Sequence, residues 1–241
     1  MSTTVALGSP STRISRRRTL YLFWGVGLVG LAFTVGQALP YMTLDESSFG
    51  PYWWSRRWPL LLHISMGAVA LLSGPVQLWL GISDARPTVH RRLGMIYITS
   101  VAVSAGAAYY LASTTELGWV FGAGLLGLAT AWVVTTSLAF TAVRRGLIEQ
   151  HREWMVRSYV VTTGFVTFRI VRFALTTAQI GTGFERSGLA SWFCWAVPLL
   201  IQRQSFRGGK SCGFAERRCR EPGEMNTGVK NPFGRRITFA P

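Results

Sequence analysis

Long apolar segments alternate with short polar segments along most of the chain. The apolar segments are continuous and lack the two-residue alternation of a membrane β-strand. Most are about 20 residues long, the length of helix that crosses a hydrocarbon core of roughly 30 Å. The pattern predicts an all-α fold, a polytopic bundle of six transmembrane helices with boundaries good to a few residues. The predicted spans are 19–39, 59–82, 92–113, 118–143, 154–177 and 187–201.

The charge of the polar segments predicts the orientation of these spans. Arginines are in excess in the N-terminal segment and in the loops 83–92 and 144–153, whereas the alternate loops balance their charges or carry a single acid. Basic loops stay on the cytoplasmic side of a membrane. The alternation therefore predicts that both termini are cytoplasmic.

Three regions follow from this pattern. Residues 1–18 form a basic cytoplasmic N-terminus, residues 19–201 form the transmembrane domain, and residues 202–241 form a basic tail. The tail is rich in Gly and Arg and has no periodicity, so we expect it to be disordered. Its abrupt change of character after Ile201 raises the hypothesis that the gene is frameshifted at this end.

The composition agrees with a membrane protein. Hydrophobic residues make up 49% of the chain and charged residues 15%, and the mean hydropathy is +0.28. A net charge of +15 would suggest nucleic acid as the partner of a soluble protein. Here the arginines lie in loops that orient helices, so the lipid bilayer is the expected partner and nucleic acid is not. The odd number of cysteines, 3, gives no disulfide framework.

Two His-Arg pairs each open an apolar segment, within the sequences HRRLGMIY at 90–97 and HREWMVRSY at 151–159. With Leu62-His63 and the GPVQ sequence at 74–77, these motifs resemble the predicted bacterial membrane proteins grouped as domain of unknown function 2306. The resemblance covers about residues 58–200 and implies a multi-pass protein of the bacterial inner (plasma) membrane. That family has no established activity, so the resemblance implies an architecture and not a function.

The histidines are the first candidates for chemistry. His90 and His151 are predicted at one depth, at the cytoplasmic ends of two helices, and two imidazoles facing each other can ligate a haem iron from both sides. This makes the pair a candidate site for one haem b. The alternative is structural, since a histidine beside an arginine at the membrane rim also caps a hairpin and contacts lipid phosphate.

Arg169 is the second candidate. It lies within the predicted fifth span, where an arginine is costly unless it is paired, and no predicted span contains an acidic residue. A carboxylate from an outer loop could pair with it, or it could bind an anionic headgroup or a quinone carbonyl with His63 nearby. The outer-loop carboxylates are Asp45, Glu46, Glu116 and Glu185. The polar residues of this span follow helical spacing and predict one interior face, made of Ser158, Thr162, Arg169, Arg172 and Thr176.

Gln77 is the third candidate, because an amide within a span should face another helix. It follows the Ser73-Gly74-Pro75 sequence, where Pro75 removes a backbone hydrogen bond and predicts a kink. Gln77 is therefore either a hydrogen-bonded amide at a kink that serves packing, or part of a ligand site with His63 and Arg169.

Two hypotheses of function remain open. In the first, the protein is a non-catalytic membrane component that binds lipid, a small hydrophobic ligand or a partner, since no catalytic set can be identified and no zinc or phosphate-loop motif occurs. In the second, it is a membrane oxidoreductase that holds haem b between His90 and His151 and exchanges electrons with a quinone near His63 and Arg169. The lack of buried carboxylates argues against ion-coupled transport.

Overall fold

The computed structural model describes residues 21–218 except 22–23, 26, 33–34, 37 and 84–85, and describes side chains only as far as residue 202. The described residues between 21 and 42 are helical, and no strand occurs in the described part of the chain. The helices that follow are α1 (Glu46–Trp54), α2 (Arg57–Ser83), α3 (Pro87–Ser113), α4 (Trp119–Arg144), α5 (Ile148–Thr162), α6 (Gly164–Thr177) and α7 (Gly183–Arg218).

Three helices, α2, α3 and α4, are long and apolar enough to cross a membrane, and the pair α5 and α6 provides a fourth crossing if it is one span. The all-helical membrane architecture is therefore confirmed. Six crossings and the orientation of the termini stay predictions. The predicted first span, 19–39, falls partly outside the described residues, and the sixth, 187–201, lies within α7.

The span predicted over 154–177 is broken and not straight. Helix α5 ends at Thr162, α6 begins at Gly164, and the two are bent by 44°. Gly164 packs against the bundle, since a Cβ atom there would lie 3.0 Å from Leu128 Cδ1. Sharp bends commonly fall at glycine positions. The predicted single polar face is thus divided between two helices of different direction.

The predicted tail boundary at residue 202 is not a helix end, because α7 continues to Arg218. By backbone contacts the chain nevertheless divides into two compact units at almost the same place, Met1–Leu200 and Ile201–Pro241. The tail predicted to be disordered is 202–241; its residues as far as 218 continue α7, and residues 219–241 lie outside the described residues, as does the N-terminus 1–18, so the disorder stays a prediction. The structural features that follow belong to the first unit.

Small residues let the helices approach each other closely. Gly74 on α2 lies directly against the ring of Tyr159 on α5, so that no Cβ atom fits between them. Gly94 on α3 leaves room for Gln77, whose Nε2 would be 2.8 Å from a Cβ atom at that position. Such contacts are typical of membrane helices, whose association depends on close packing.

The core lies between α2, α3, α4 and α5. Fully buried apolar side chains from each of them meet there, and Tyr97 and Ala139 are 0% exposed. The buried members of this cluster are Ala70, Tyr97, Val101, Ala105, Trp132, Ala139, Met155 and Val161.

Helix α7 packs on α4 through tryptophans. Trp192 Nε1 donates to the carbonyl of Val120 at 3.1 Å, and Trp195 Nε1 donates to the carbonyl of Gly124 at 3.2 Å. Gly124 also lies against Ser191, again with no space for a Cβ atom. These bonds fix the start of α7 beside the bundle.

Candidate functional site

A buried hydrogen-bond network joins three helices at mid-bundle. The hydroxyl of Tyr97 on α3 lies 2.8 Å from both Ser158 Oγ and Thr162 Oγ1 on α5. From α4, Trp132 Nε1 donates to Thr162 Oγ1 at 2.9 Å, and Thr136 Oγ1 lies 2.7 Å from Ser158 Oγ. Every polar atom in this network has a partner, which buried polar groups require. We call these five residues the hydroxyl network.

A cavity of about 740 Å³ lies between this network and the loop at 114–118. Trp132 and Thr162 belong to both the network and the cavity wall, so the network forms the cavity floor. The bend between α5 and α6 lies at this cavity, since Thr162 before it and Phe165 after it both line the wall. Much of the wall is aromatic, with Trp53, Phe121, Trp132, Phe165, Phe168 and Phe184 among its residues.

His63, Arg169 and Arg172 are the basic side chains on this cavity. Nδ1 of His63 lies 3.0 Å from the carbonyl oxygen of Ser104, which can only accept a hydrogen bond. Nδ1 therefore carries the proton, an assignment that follows from the bonding partner. In the neutral ring Nε2 is then an acceptor, and no side chain or backbone group of the described residues bonds to it. Ser104 Oγ donates in turn to the carbonyl of His63 at 2.9 Å.

Three of the four outer-loop carboxylates that the sequence analysis considered as partners of Arg169 are bonded elsewhere. Glu116 pairs with Arg56 at 3.0 Å, and this hydrogen bond raises the pKa of Arg56. Asp45 caps α1 by accepting from Ser47, which lowers the pKa of Asp45. Glu185 accepts from the backbone N–H of Thr182 at 2.7 Å.

Arg169 is half-buried and Arg172 is exposed. In the part of the chain that the structure describes, neither guanidinium has a side-chain partner, and none of the described cavity-lining residues is acidic. The cavity thus carries a positive charge that the described residues do not balance.

Helix α1 covers the cavity at the end formed by the 114–118 loop, which we call the cavity end. Arg56 donates to the carbonyl of Thr114 at 3.1 Å, and Tyr52 bonds to Thr115 Oγ1 at 3.4 Å. Trp53, next to Tyr52, lines the cavity. Tyr52 and Trp53 therefore place an aromatic cover over this end of the cavity.

The two His-Arg motifs meet at the opposite end of the bundle, which we call the His-Arg end. The rings of His90 and His151 have centroids 6.4 Å apart and are nearly perpendicular, at 87°. His151 Nδ1 lies 2.9 Å from the carbonyl oxygen of Ala139, which leaves Nε2 of the neutral ring as the acceptor. Gln77 Nε2 donates to the carbonyl of His90 at 2.8 Å.

Two buried atoms at this end, Gln77 Oε1 and His90 Nδ1, have no hydrogen-bond partner among the described residues. Gln77 is only 4% exposed. The ring of His90 rests on α2, since a Cβ atom at Gly81 would lie 3.3 Å from His90 Cε1. Among the described residues, no three His, Cys, Asp or Glu side chains form a group that could hold a metal ion.

The five site residues proposed from the sequence therefore fall into two groups. His63 and Arg169 line one cavity, whereas Gln77 lies with His90 and His151 at the other end. Gln77 does not line the cavity that His63 and Arg169 share. Sequence reasoning did not find Trp132 and Thr136, although their spacing of four residues within α4 was a usable signal, since it places two hydrogen-bonding groups on one helix face.

An all-helical bundle with several membrane-length helices, an internal cavity and a buried hydroxyl network is the structure of an integral membrane protein. Residues 60–204, more than half of the chain, match the family described as predicted membrane protein (DUF2306). The protein belongs to this family, whose function is unknown, as the His-Arg motifs predicted. No curated protein and no solved structure matches the chain.

Proposed function

We propose that this protein is a non-catalytic membrane component that binds a small, largely apolar ligand in the cavity between its helices. The observation that carries the proposal is the cavity itself, about 740 Å³ with mostly apolar walls and a few basic groups. Ligand sites are usually concave and apolar with a small number of polar groups that orient the ligand. The cavity volume falls within the range of roughly 300–1,000 Å³ that is typical of such sites.

The test is saturable quenching of tryptophan fluorescence by single-chain lipids brominated at the terminal carbon. Neutral, anionic and cationic headgroups are compared with the protein in phosphatidylcholine nanodiscs. At least one probe should quench saturably, because Trp53 and Trp132 both line the cavity.

The variant Ala108→Phe fills the cavity from α3 and should abolish this quenching. The matched control, Val103→Phe, enlarges a side chain that is 38% exposed on the same helix and should retain it. The proposal fails if no probe quenches saturably, or if Ala108→Phe quenches like the unchanged protein.

We also propose that the chain crosses the bacterial inner membrane six times with both termini in the cytoplasm. The alternation of basic and non-basic loops supports this topology. Single cysteines are placed at 116 and at 147 in a protein without its natural cysteines. The cysteine at 116 should react with an impermeant maleimide added outside intact cells, whereas the cysteine at 147 should react only after lysis. The opposite labelling would overturn the orientation.

A second candidate function is redox chemistry with one haem b between His90 and His151. Two nitrogens on opposite sides of one iron are roughly 4 Å apart, since each metal–nitrogen bond is about 2 Å. Ring centroids lie behind these nitrogens, so the separation of 6.4 Å is compatible with bis-histidine ligation. The bond from His151 to Ala139 is the kind of outer contact that orients ligating histidines.

The visible spectrum of protein from haem-replete cells, before and after dithionite, tests this candidate. A Soret band with sharp α and β bands that His90→Ala and His151→Ala remove would support it. A colourless and folded protein would exclude it.

A further inference from the structure

The positive charge of the cavity limits the class of ligand that it can bind. Arg169 and Arg172 line the cavity, none of its described lining residues is acidic, and three of the four outer-loop carboxylates are bonded elsewhere. A guanidinium in a membrane interior is costly unless an anion or a hydrogen-bond acceptor compensates it. A neutral ligand would leave this charge unbalanced, and a cationic ligand would add to it.

The two arginines are also arranged to act together. They are three residues apart on α6, a spacing that puts both side chains on one face of a helix. Each guanidinium offers a planar fork of donors that matches the oxygens of a carboxylate or phosphate. One oxyanion can therefore accept from both.

The remainder of the cavity suits an apolar chain. From the arginines the wall continues through aromatic and aliphatic side chains to Trp132 on the floor. Every hydrogen-bonding group of the hydroxyl network already has a partner within the protein, so the floor offers nothing to a second polar group. The cavity thus has a charged part at α6 and an apolar part that ends at the network.

We propose that the ligand is a single-chain amphiphile with an oxyanion headgroup, carboxylate or phosphate, held by Arg169 and Arg172 with its chain directed toward Trp132. This rests on the proposed function, ligand binding in the cavity, and specifies the class of ligand. His63 Nε2 is a further acceptor on the wall, so a hydroxyl near the headgroup would find a partner there.

The experiment compares matched probes in phosphatidylcholine nanodiscs at neutral pH. The probes are a fatty acid, an alkyl phosphate and an alkanol of one chain length, each brominated at its terminal carbon. The two anions should bind at least roughly tenfold more tightly than the alkanol, which corresponds to the loss of a charge-assisted hydrogen bond. Arg169→Gln should lower the affinity for the two anions to the affinity for the alkanol, and it should leave the affinity for the alkanol unchanged.

Arg92→Gln, at an exposed position on α3 at the His-Arg end, is the matched control and should change none of the affinities. If Arg169→Gln does not fold, Arg172→Gln at an exposed position replaces it. Inorganic phosphate is the competitor that separates the two sources of the oxyanion. Displacement of the alkyl phosphate by millimolar inorganic phosphate would show that the site recognises free phosphate. This result would overturn the proposal that the ligand is an amphiphile.

The outcomes separate this inference from the function on which it rests. Equal saturable quenching by the fatty acid, the alkyl phosphate and the alkanol would support ligand binding in the cavity but refute the preference for an oxyanion headgroup. The absence of saturable quenching by any probe would refute both. The direction of the chain has its own readout, because bromine at the chain end should quench Trp132, and Trp132→Phe should remove more of the quenching than Trp53→Phe does. The reverse order would overturn the proposed direction.

Discussion

The two ends of the bundle use the same helices in opposite ways. At the His-Arg end, glycines admit side chains from neighbouring helices, because Gly94 lies against Gln77 and Gly81 lies against His90. At the cavity end the helices enclose a space of about 740 Å³ beside the bend between α5 and α6. The hydroxyl network lies between them. Glycine contacts thus accompany the tight packing at one end, and a helix break accompanies the binding space at the other.

The largest expected effect contrasts two alanines one turn apart on α3. Ala105 is 1% exposed in the core, whereas Ala108 lines the cavity. Phenylalanine at 105 has no space and should lower the free energy of unfolding by about 3 kcal/mol or more. Phenylalanine at 108 fills an existing space and should leave the stability unchanged or raise it by about 0.5–2 kcal/mol. Equal losses, measured by denaturation in mixed micelles, would show that the cavity is not open.

A smaller effect is expected from a glycine contact in the packed interior of the bundle. Gly74→Ala places a methyl group against the ring of Tyr159, which is 3% exposed and bonds through its hydroxyl to the carbonyl of Leu71 at 3.3 Å. The ring cannot move away freely, so we expect a loss of about 1–3 kcal/mol. The control is Gly106→Ala on α3, where a Cβ atom meets nothing within 4 Å. It should be neutral or stabilising by up to about 1 kcal/mol, because alanine favours a helix.

Removing one hydroxyl tests the boundary between the two ends. Tyr97→Phe deletes the atom that bonds to both Ser158 and Thr162. In membrane proteins such bonds contribute about 0.6 kcal/mol on average and up to about 1.7 kcal/mol, so the loss should lie within this range. Tyr110→Phe, whose ring is on the same helix and 52% exposed, should have no effect. A loss well above 2 kcal/mol would mean that the network acts cooperatively.

The helices could be predicted from the sequence because a bilayer imposes a length and a continuous apolar character on each span. The meeting of His90 and His151 also followed, since both were predicted at the ends of helices on the same side of the bundle. The cavity could not be predicted. Its wall includes Thr162 and Phe165, on the two sides of a helix break, and the apolar or small residues around this break predict an unbroken span.

The grouping of Gln77 shows the same limit. Its position within a span predicted correctly that it faces another helix, but its partner depends on how α2 packs against α3. Gly94 permits that approach and brings the amide to the carbonyl of His90, away from His63. A sequence identifies which side chain must be satisfied, whereas the packing decides which group satisfies it.

The smallest expected effect is a pH dependence at the cavity end. Thr182 and Glu185 form a reciprocal cap at the start of α7, in which Glu185 Oε2 accepts from Thr182 N–H and Thr182 Oγ1 accepts from Glu185 N–H. The backbone hydrogen bond from Thr182, followed by the side-chain bond, lowers the pKa of Glu185. A lowered folded-state pKa means that the cap stabilises the helix above the ordinary pKa of glutamate, about 4.3, and is lost as the pH falls through the folded value.

Hydrogen exchange of the amides at 183–187, corrected for the intrinsic rate, measures this effect directly. Protection should be constant from neutral pH down to the ordinary pKa of glutamate and should fall only below it. Glu185→Gln keeps an acceptor but cannot titrate, so its protection should be lower and independent of pH. Because Gly183, Phe184 and Ser187 line the cavity, fraying here would loosen its wall while the His-Arg end stays protected. An equal acid-induced loss of protection at both ends would mean that the two ends unfold together and that the cap has no local role.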